Sequence, residues 1–133
     1  MGLETLERVM KLQTTKQGWF APVATSSFDT DGADHAHFDQ QPIEALATVD
    51  ACFAAWRATG DTHHCHKARL AFEWFGGYNV HGLALARPED GICHDALTVA
   101  GVNGNHGAES ILSYHLAAAS IREFLIRQPA GAN

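Results

Sequence analysis

The sequence predicts a mainly all-α fold: about four helices in two hairpins, with two long polar loops at one end. Three observations predict it. Apolar residues recur at three- and four-residue spacing in four separate stretches, which is the repeat of one helix face. Glycines and capping residues bracket those stretches, at Gly60-Asp61 and Gly76-Gly77. The segments between are rich in Asp, Asn, Ser and Gly, whose side chains or backbone freedom favour turns.

The first helix is expected over residues 3–12, where Leu3, Leu6, Val9, Met10 and Leu12 repeat at helical spacing. A connection of roughly 29 residues, 13–41, follows. Most loops span about 4–6 residues, so this one should be an ordered functional or packing loop or hold short extended pieces. Pro42 suits the first position of the next helix, because its missing N–H is not needed there. From Ile43 to Thr59, Leu46, Val49, Phe53 and Trp56 form an apolar stripe. Ala45, Ala47, Ala51, Ala54, Ala55 and Ala58 give small faces that allow a neighbouring backbone to come close, and alanine also favours the helix. Gly60 ends that helix, and Asp61 or Thr62 can cap the next.

The third helix is expected over 62–75, with Ala68, Ala71, Phe72 and Phe75 on one side and Gly76-Gly77 as its stop. Residues 77–107 form the second long connection. Arg87-Pro88-Glu89-Asp90-Gly91 reads as a turn, and the apolar pieces 83–86 and 97–102 as short strand candidates. The last helix should span 108–127. Ile111, Leu112, His115, Leu116 and Ala119 line one face, and Tyr114, Ala117, Ala118, Ile121 and Leu125 cover much of the rest, the pattern of a helix packed between neighbours. If the four helices alternate in direction, both long loops lie at one end and the Gly60-Asp61 turn at the other.

The 133 residues fit one helical domain, 1–133, or a fragment of a larger one. Charged residues make up 18% of the chain. A well-solvated small domain carries roughly 25% or more on its surface, so a partner subunit or further sequence is expected to cover some of it. A formal charge of −6 and the lack of a basic run argue against nucleic acid as partner. No apolar run reaches the length of a membrane span, roughly 18 residues. Met1-Gly2-Leu3-Glu4 has neither the basic segment nor the apolar core of a secretory leader. Cys52, Cys65 and Cys93 form no paired motif and fit reduced thiols, so a cytoplasmic location is expected.

Two stretches carry a resemblance. Phe38-Asp39-Gln40-Gln41-Pro42-Ile43-Glu44-Ala45 leads into a helix, followed by Thr59-Gly60-Asp61 and Ala71-Phe72-Glu73-Trp74-Phe75-Gly76-Gly77-Tyr78-Asn79. Later comes Gly101-Val102-Asn103-Gly104-Asn105-His106-Gly107-Ala108-Glu109-Ser110. In this order they resemble the C-terminal part of six-hairpin, (α/α)6-toroid domains related to glycosidases, which also occur beside bacterial glycosyltransferase domains. The resemblance runs from about residue 18 to 126. It implies a carbohydrate-related function and a partial toroid: a fragment, a reduced relative, or copies that together replace the missing hairpins. His106 stands where that class leads one to expect Gln, and His35, His37, His63, His64 and His66 are additions to its pattern.

The long loops hold the candidate site. Asp39, Asn79, Asp95, Asn103, Asn105, His106 and Glu109 can face one cleft, where carboxylates and amides would hydrogen-bond sugar hydroxyls. Trp19, Trp74 and Tyr78 are candidates for stacking on a sugar face. Glycoside hydrolysis needs an acid paired with a base or nucleophile, and Asp39 or Asp95 with Glu109 are the candidates for that role. The structural alternative gives Asp39 the cap of the helix at Pro42, places Glu109 in a first turn where its charge suits the helix dipole, and makes Asn103 and Asn105 turn residues.

Two other functions compete with saccharide binding. One is a non-catalytic oligomeric or interaction module. The other is a small metal-binding protein, for which His35, His37 and Asp39 alternate along an extended segment while His63 and His66 share a helix face. The sequence assigns no cofactor. Ser110 and His115, five apart on one helix, are poorly spaced for a nucleophile and its base, and no phosphate-cradling glycine loop is present.

Overall fold

A computed structural model describes residues 1–24 and 37–127. Among the described residues the architecture is mainly helical, with four α-helices: α1 Gly2–Leu12, α2 Pro42–Thr59, α3 His63–Glu73 and α4 Ala108–Arg127. Four two-residue strands lie between α3 and α4: β1 Ala86–Arg87, β2 Ile92–Cys93, β3 Leu97–Thr98 and β4 Gly101–Val102. They pair as two small antiparallel hairpins, β1 with β2 and β3 with β4. Among the described residues the helices do not close into a toroid.

α2 is the centre of the packing. Gln41, rather than Asp39, precedes it: the Gln41 side chain accepts the Glu44 N–H, and Glu44 Oε2 accepts the Gln41 N–H at 2.8 Å. This reciprocal capping box satisfies two otherwise orphan donors and corrects the assignment of Asp39 as cap. Ala45, Leu46, Val49, Cys52 and Phe53 are buried along α2, and Trp56 is half-buried at its far end. Gly60 then turns the chain in the left-handed conformation, φ +73°, so that α3 returns antiparallel. Asp61 Oδ1 accepts the His63 N–H at 2.9 Å and starts α3.

α3 is shorter than its apolar pattern. It stops at Glu73, and a 3₁₀ turn, Trp74–Gly76, follows. The Tyr78 N–H reaches Glu73 O at 3.2 Å and the Gly77 N–H reaches Trp74 O at 3.3 Å. These are the two bonds of a Schellman stop, closed around Gly77 at φ +103°. A side chain there would also press on Ala84 N at 3.2 Å. The position therefore needs glycine on two counts, conformation and space.

α4 lies across α2 and α3. Its inward face is Ser110, Ser113 and Ala117, small enough for close approach, flanked by partly buried Tyr114, Ile121 and Phe124. Phe124 meets Phe53 and Trp56 with ring centroids 5.1 Å apart in each case, and Tyr114 meets Phe75 at 5.5 Å. The opposite face is open: Leu112 and Leu116 are 59% and 55% exposed. The expectation that both faces of α4 are covered is therefore corrected within this chain.

Side-chain ties fix the helix directions. Gln13 just after α1 pairs with Thr48 in the first half of α2, Phe124 late in α4 meets Trp56 late in α2, and Phe72 late in α3 meets Tyr114 early in α4. The helices thus alternate. With the helices alternating, the described ends of both long connections fall at one end.

Candidate functional site

The two connections meet through backbone. Gln40 and Leu97 exchange both N–H···O bonds, each at 2.9 Å. The Gln40 side chain is fully buried, and its Oε1 accepts the Trp74 indole N–H at 2.9 Å. A few residues away, Phe38 stacks on His81 with ring centroids 5.0 Å apart. This joint ties the first loop, the second loop and the end of α3 into one unit.

Asn79 organises the start of the second connection. Its amide donates to Trp74 O at 3.0 Å and Leu83 O at 2.8 Å, and its oxygen accepts the N–H groups of His81 and Leu83. Asn79 is only 2% exposed. Both side-chain polar atoms are thereby matched, as burial requires. Trp74 is 0% exposed and offers no face to a ligand. The stacking role for Trp74 and the ligand-binding role for Asn79 are corrected on these grounds: both are internal supports.

Asp95 anchors the start of α4. Its Oδ1 accepts the Gly107 N–H at 2.6 Å and the Ser110 hydroxyl at 2.7 Å, while its own N–H donates to Asn105 O. These bonds to the charged form hold its carboxyl below the usual carboxylate range, the Gly107 amide contributing most. A carboxylate held ionised in this way is poorly suited to donate a proton. Asn103 Oδ1 accepts the Asn105 N–H at 2.6 Å, a turn contact. The His106 ring stands edge-on to His94 at 6.1 Å.

The structure thus gathers Asp95, Asn103, Asn105 and His106 at the foot of α4. Glu109 is exposed in the first turn of α4. Asp39 is exposed beside the Gln40–Leu97 joint. Trp19 is 40% exposed in the turn closed by Thr15 and Trp19 after α1. Among the described residues the hydrogen bonds of Asp95 go to Gly107, Ser110 and Asn105 and not to Asp39 or Trp19. The antiparallel joint leads away from Asp39 in one direction and from Asp95 in the other.

Of the predicted residues, Tyr78 alone lines the aromatic groove at this end. The groove has a volume of about 530 Å³ and is lined by Phe72, Glu73, Tyr78, Arg87, Glu89 and Tyr114, among others. Tyr78 follows the Gly77 stop and is 61% exposed. Glu73 is paired with Arg69 at 2.8 Å, and Arg87 with Asp90 at 2.6 Å. Burial raises the Tyr114 hydroxyl above its usual range, and the nearby Cys93 and Glu89 add to that. Phe72, Glu73, Arg87, Glu89 and Tyr114 are not among the candidates that the sequence nominates. The usable signal is the alternating topology, which sets Tyr114 early in α4 opposite Phe72 late in α3.

The histidines divide by burial. His63 and His66 are exposed, while His64 and Cys65 between them are buried. Among the described residues no three His, Cys, Asp or Glu side chains are grouped to hold a metal ion. His35 lies outside the described residues, so the His35–His37–Asp39 set is not described as a whole. Among the described residues no helix is long and apolar enough to cross a membrane. His115 Nε2 contacts Gly91 O at 3.0 Å, and Ser110 contacts Asp95, so these two serve separate local structures. Comparison with protein-family models and with curated proteins gave no match.

Proposed function

We propose that this chain is a carbohydrate-related module that binds a saccharide or sugar-like metabolite in the groove beside Tyr78. The observation that carries the reading is that groove: an exposed tyrosine and three further aromatic side chains beside carboxylates and a guanidinium. Aromatic faces suit the apolar faces of a sugar ring, and the charged groups suit its hydroxyls. A pocket of a few hundred Å³ with a few fixed polar groups is the usual form of a small-molecule site. The resemblance to (α/α)6-toroid domains favours the same class, with these four helices as an arc of a larger assembly, and the free cysteines Cys52, Cys65 and Cys93 favour a cytoplasmic setting.

Binding is favoured over hydrolysis. Asp95 is engaged at the foot of α4, which leaves Asp39 and Glu109 as the remaining carboxylates of the sequence-derived acid/base set. The test is a saccharide panel followed by NMR on the intact chain and on Tyr78→Ala. Shifts at Tyr78 and Tyr114 that vanish in the variant are expected; binding unchanged by Tyr78→Ala would remove this groove as the site.

A second reading is a non-catalytic oligomeric or interaction module. It draws on the open face of α4, where Leu112, Leu116, Leu125 and Ile126 are exposed. The mass in solution tests it: a concentration-independent monomer would count against self-association through this face.

A further inference from the structure

We infer that the ligand of the Tyr78 groove carries a protonated amine, as an amino sugar does; this rests on the saccharide reading and narrows its substrate class. Most charges around the groove are already matched. Glu73 is paired with Arg69, and Arg87 with Asp90, so each contributes little net charge to an incoming molecule. Among the described residues Glu89 has no ion-pair partner. The groove therefore holds one uncompensated negative charge.

The aromatic side chains point to the same chemistry. Phe72 and Tyr114 are stacked, with centroids 6.3 Å apart and planes within 10°, and Tyr78 stands exposed beside the same groove. Aromatic faces attract cations through their negative quadrupole, and ammonium ligands are recognised in this way. Glu89 is close enough for its charge to be felt at the Tyr114 hydroxyl. A neutral sugar would use the aromatic faces and offer Glu89 hydroxyl donors but no opposite charge. A uronic acid would meet repulsion from it. An amino sugar uses both features in one ligand.

The cation must come from the ligand. Arg87 lies on the same turn as Glu89, but its guanidinium is turned to Asp90 at 2.6 Å. Asp90 is in turn fixed by accepting the Ile92 N–H at 3.1 Å, so the turn holds Arg87 away from neutralising its neighbour.

The experiment compares three disaccharides of the same linkage on the intact chain: a glucosamine dimer, its N-acetylated form and a glucose dimer. The free amine should bind about five- to tenfold more tightly than either neutral dimer, with the advantage lost at a pH that deprotonates the amine or in high salt. Glu89→Gln should bring the affinity of the free amine down to that of the glucose dimer measured on the same variant. Equal affinity for all three dimers, or an advantage that survives Glu89→Gln, would overturn the amine inference and leave saccharide binding standing. Binding of simple aliphatic amines with none of the sugars would overturn the saccharide reading. No binding of any probe would overturn both.

Discussion

Trp74 and Tyr78 lie four residues apart in one short segment, and both have the aromatic character expected of a sugar-stacking platform. They end in opposite environments. Trp74 is sealed under the loop joint with its indole N–H committed to Gln40. Tyr78, just past the Gly77 stop, is turned out over the groove. The polar residues divide the same way: Asn79 and Asp95 have their bonds made inside the protein, whereas Glu89, in the groove lining, has no ion-pair partner among the described residues. Residue type nominates candidates for a site, and the hydrogen bonds already made decide which are available.

The largest effect that tests this contrast is at Trp74. Trp74→Ala should cost about 3–5 kcal/mol, because it opens a cavity in a close-packed core. It also leaves the buried Gln40 amide without its indole partner. Chemical denaturation measures it, and a loss below about 1 kcal/mol would mean that the joint does not depend on this ring.

Asp95 should give an intermediate effect. Asp95→Ala removes the acceptor of the Gly107 N–H and the Ser110 hydroxyl. It should cost about 1–2 kcal/mol, as loss of a helix cap does. The sign of its pH dependence follows from the lowered carboxyl. Its stabilisation is present above the unfolded value of about 4 and is lost as pH falls through the lower folded value. Asp95→Asn should flatten that acid limb while keeping an acceptor. Denaturation midpoints of the three proteins from about pH 2 to about pH 7, which brackets the carboxylate value, provide the comparison.

Tyr78 should give the smallest change in stability. The ring is mostly solvated. Tyr78→Ala should therefore stay within about 0.5 kcal/mol of the parent. A cost near that of Trp74→Ala would show that both aromatics support the fold, and the contrast between them would fail.

Much of the frame is legible in the sequence. α4 begins where its pattern begins, Pro42 opens α2, and Gly60 closes it. The Arg87–Gly91 segment is the turn its composition indicates, joining β1 to β2. The site is less legible. Asp39, Asn79 and Asp95 are equivalent as polar loop residues, and only the positions of Trp74 O, Leu83 O and the Gly107 N–H separate them. Phe72 and Tyr114 read in the sequence as parts of helix faces, because their meeting depends on how α3 crosses α4.

By itself the sequence determined the four helices and the glycine turn between α2 and α3, since these follow from local periodicity, backbone freedom and capping. Tertiary structure alone decided that Gln40 pairs with Leu97, that Trp74 is sealed while Tyr78 is open, and that α4 turns its small residues inward and its leucines out. Those outcomes depend on which distant groups arrive to satisfy a hydrogen bond or fill a gap, and local patterning contains no record of them.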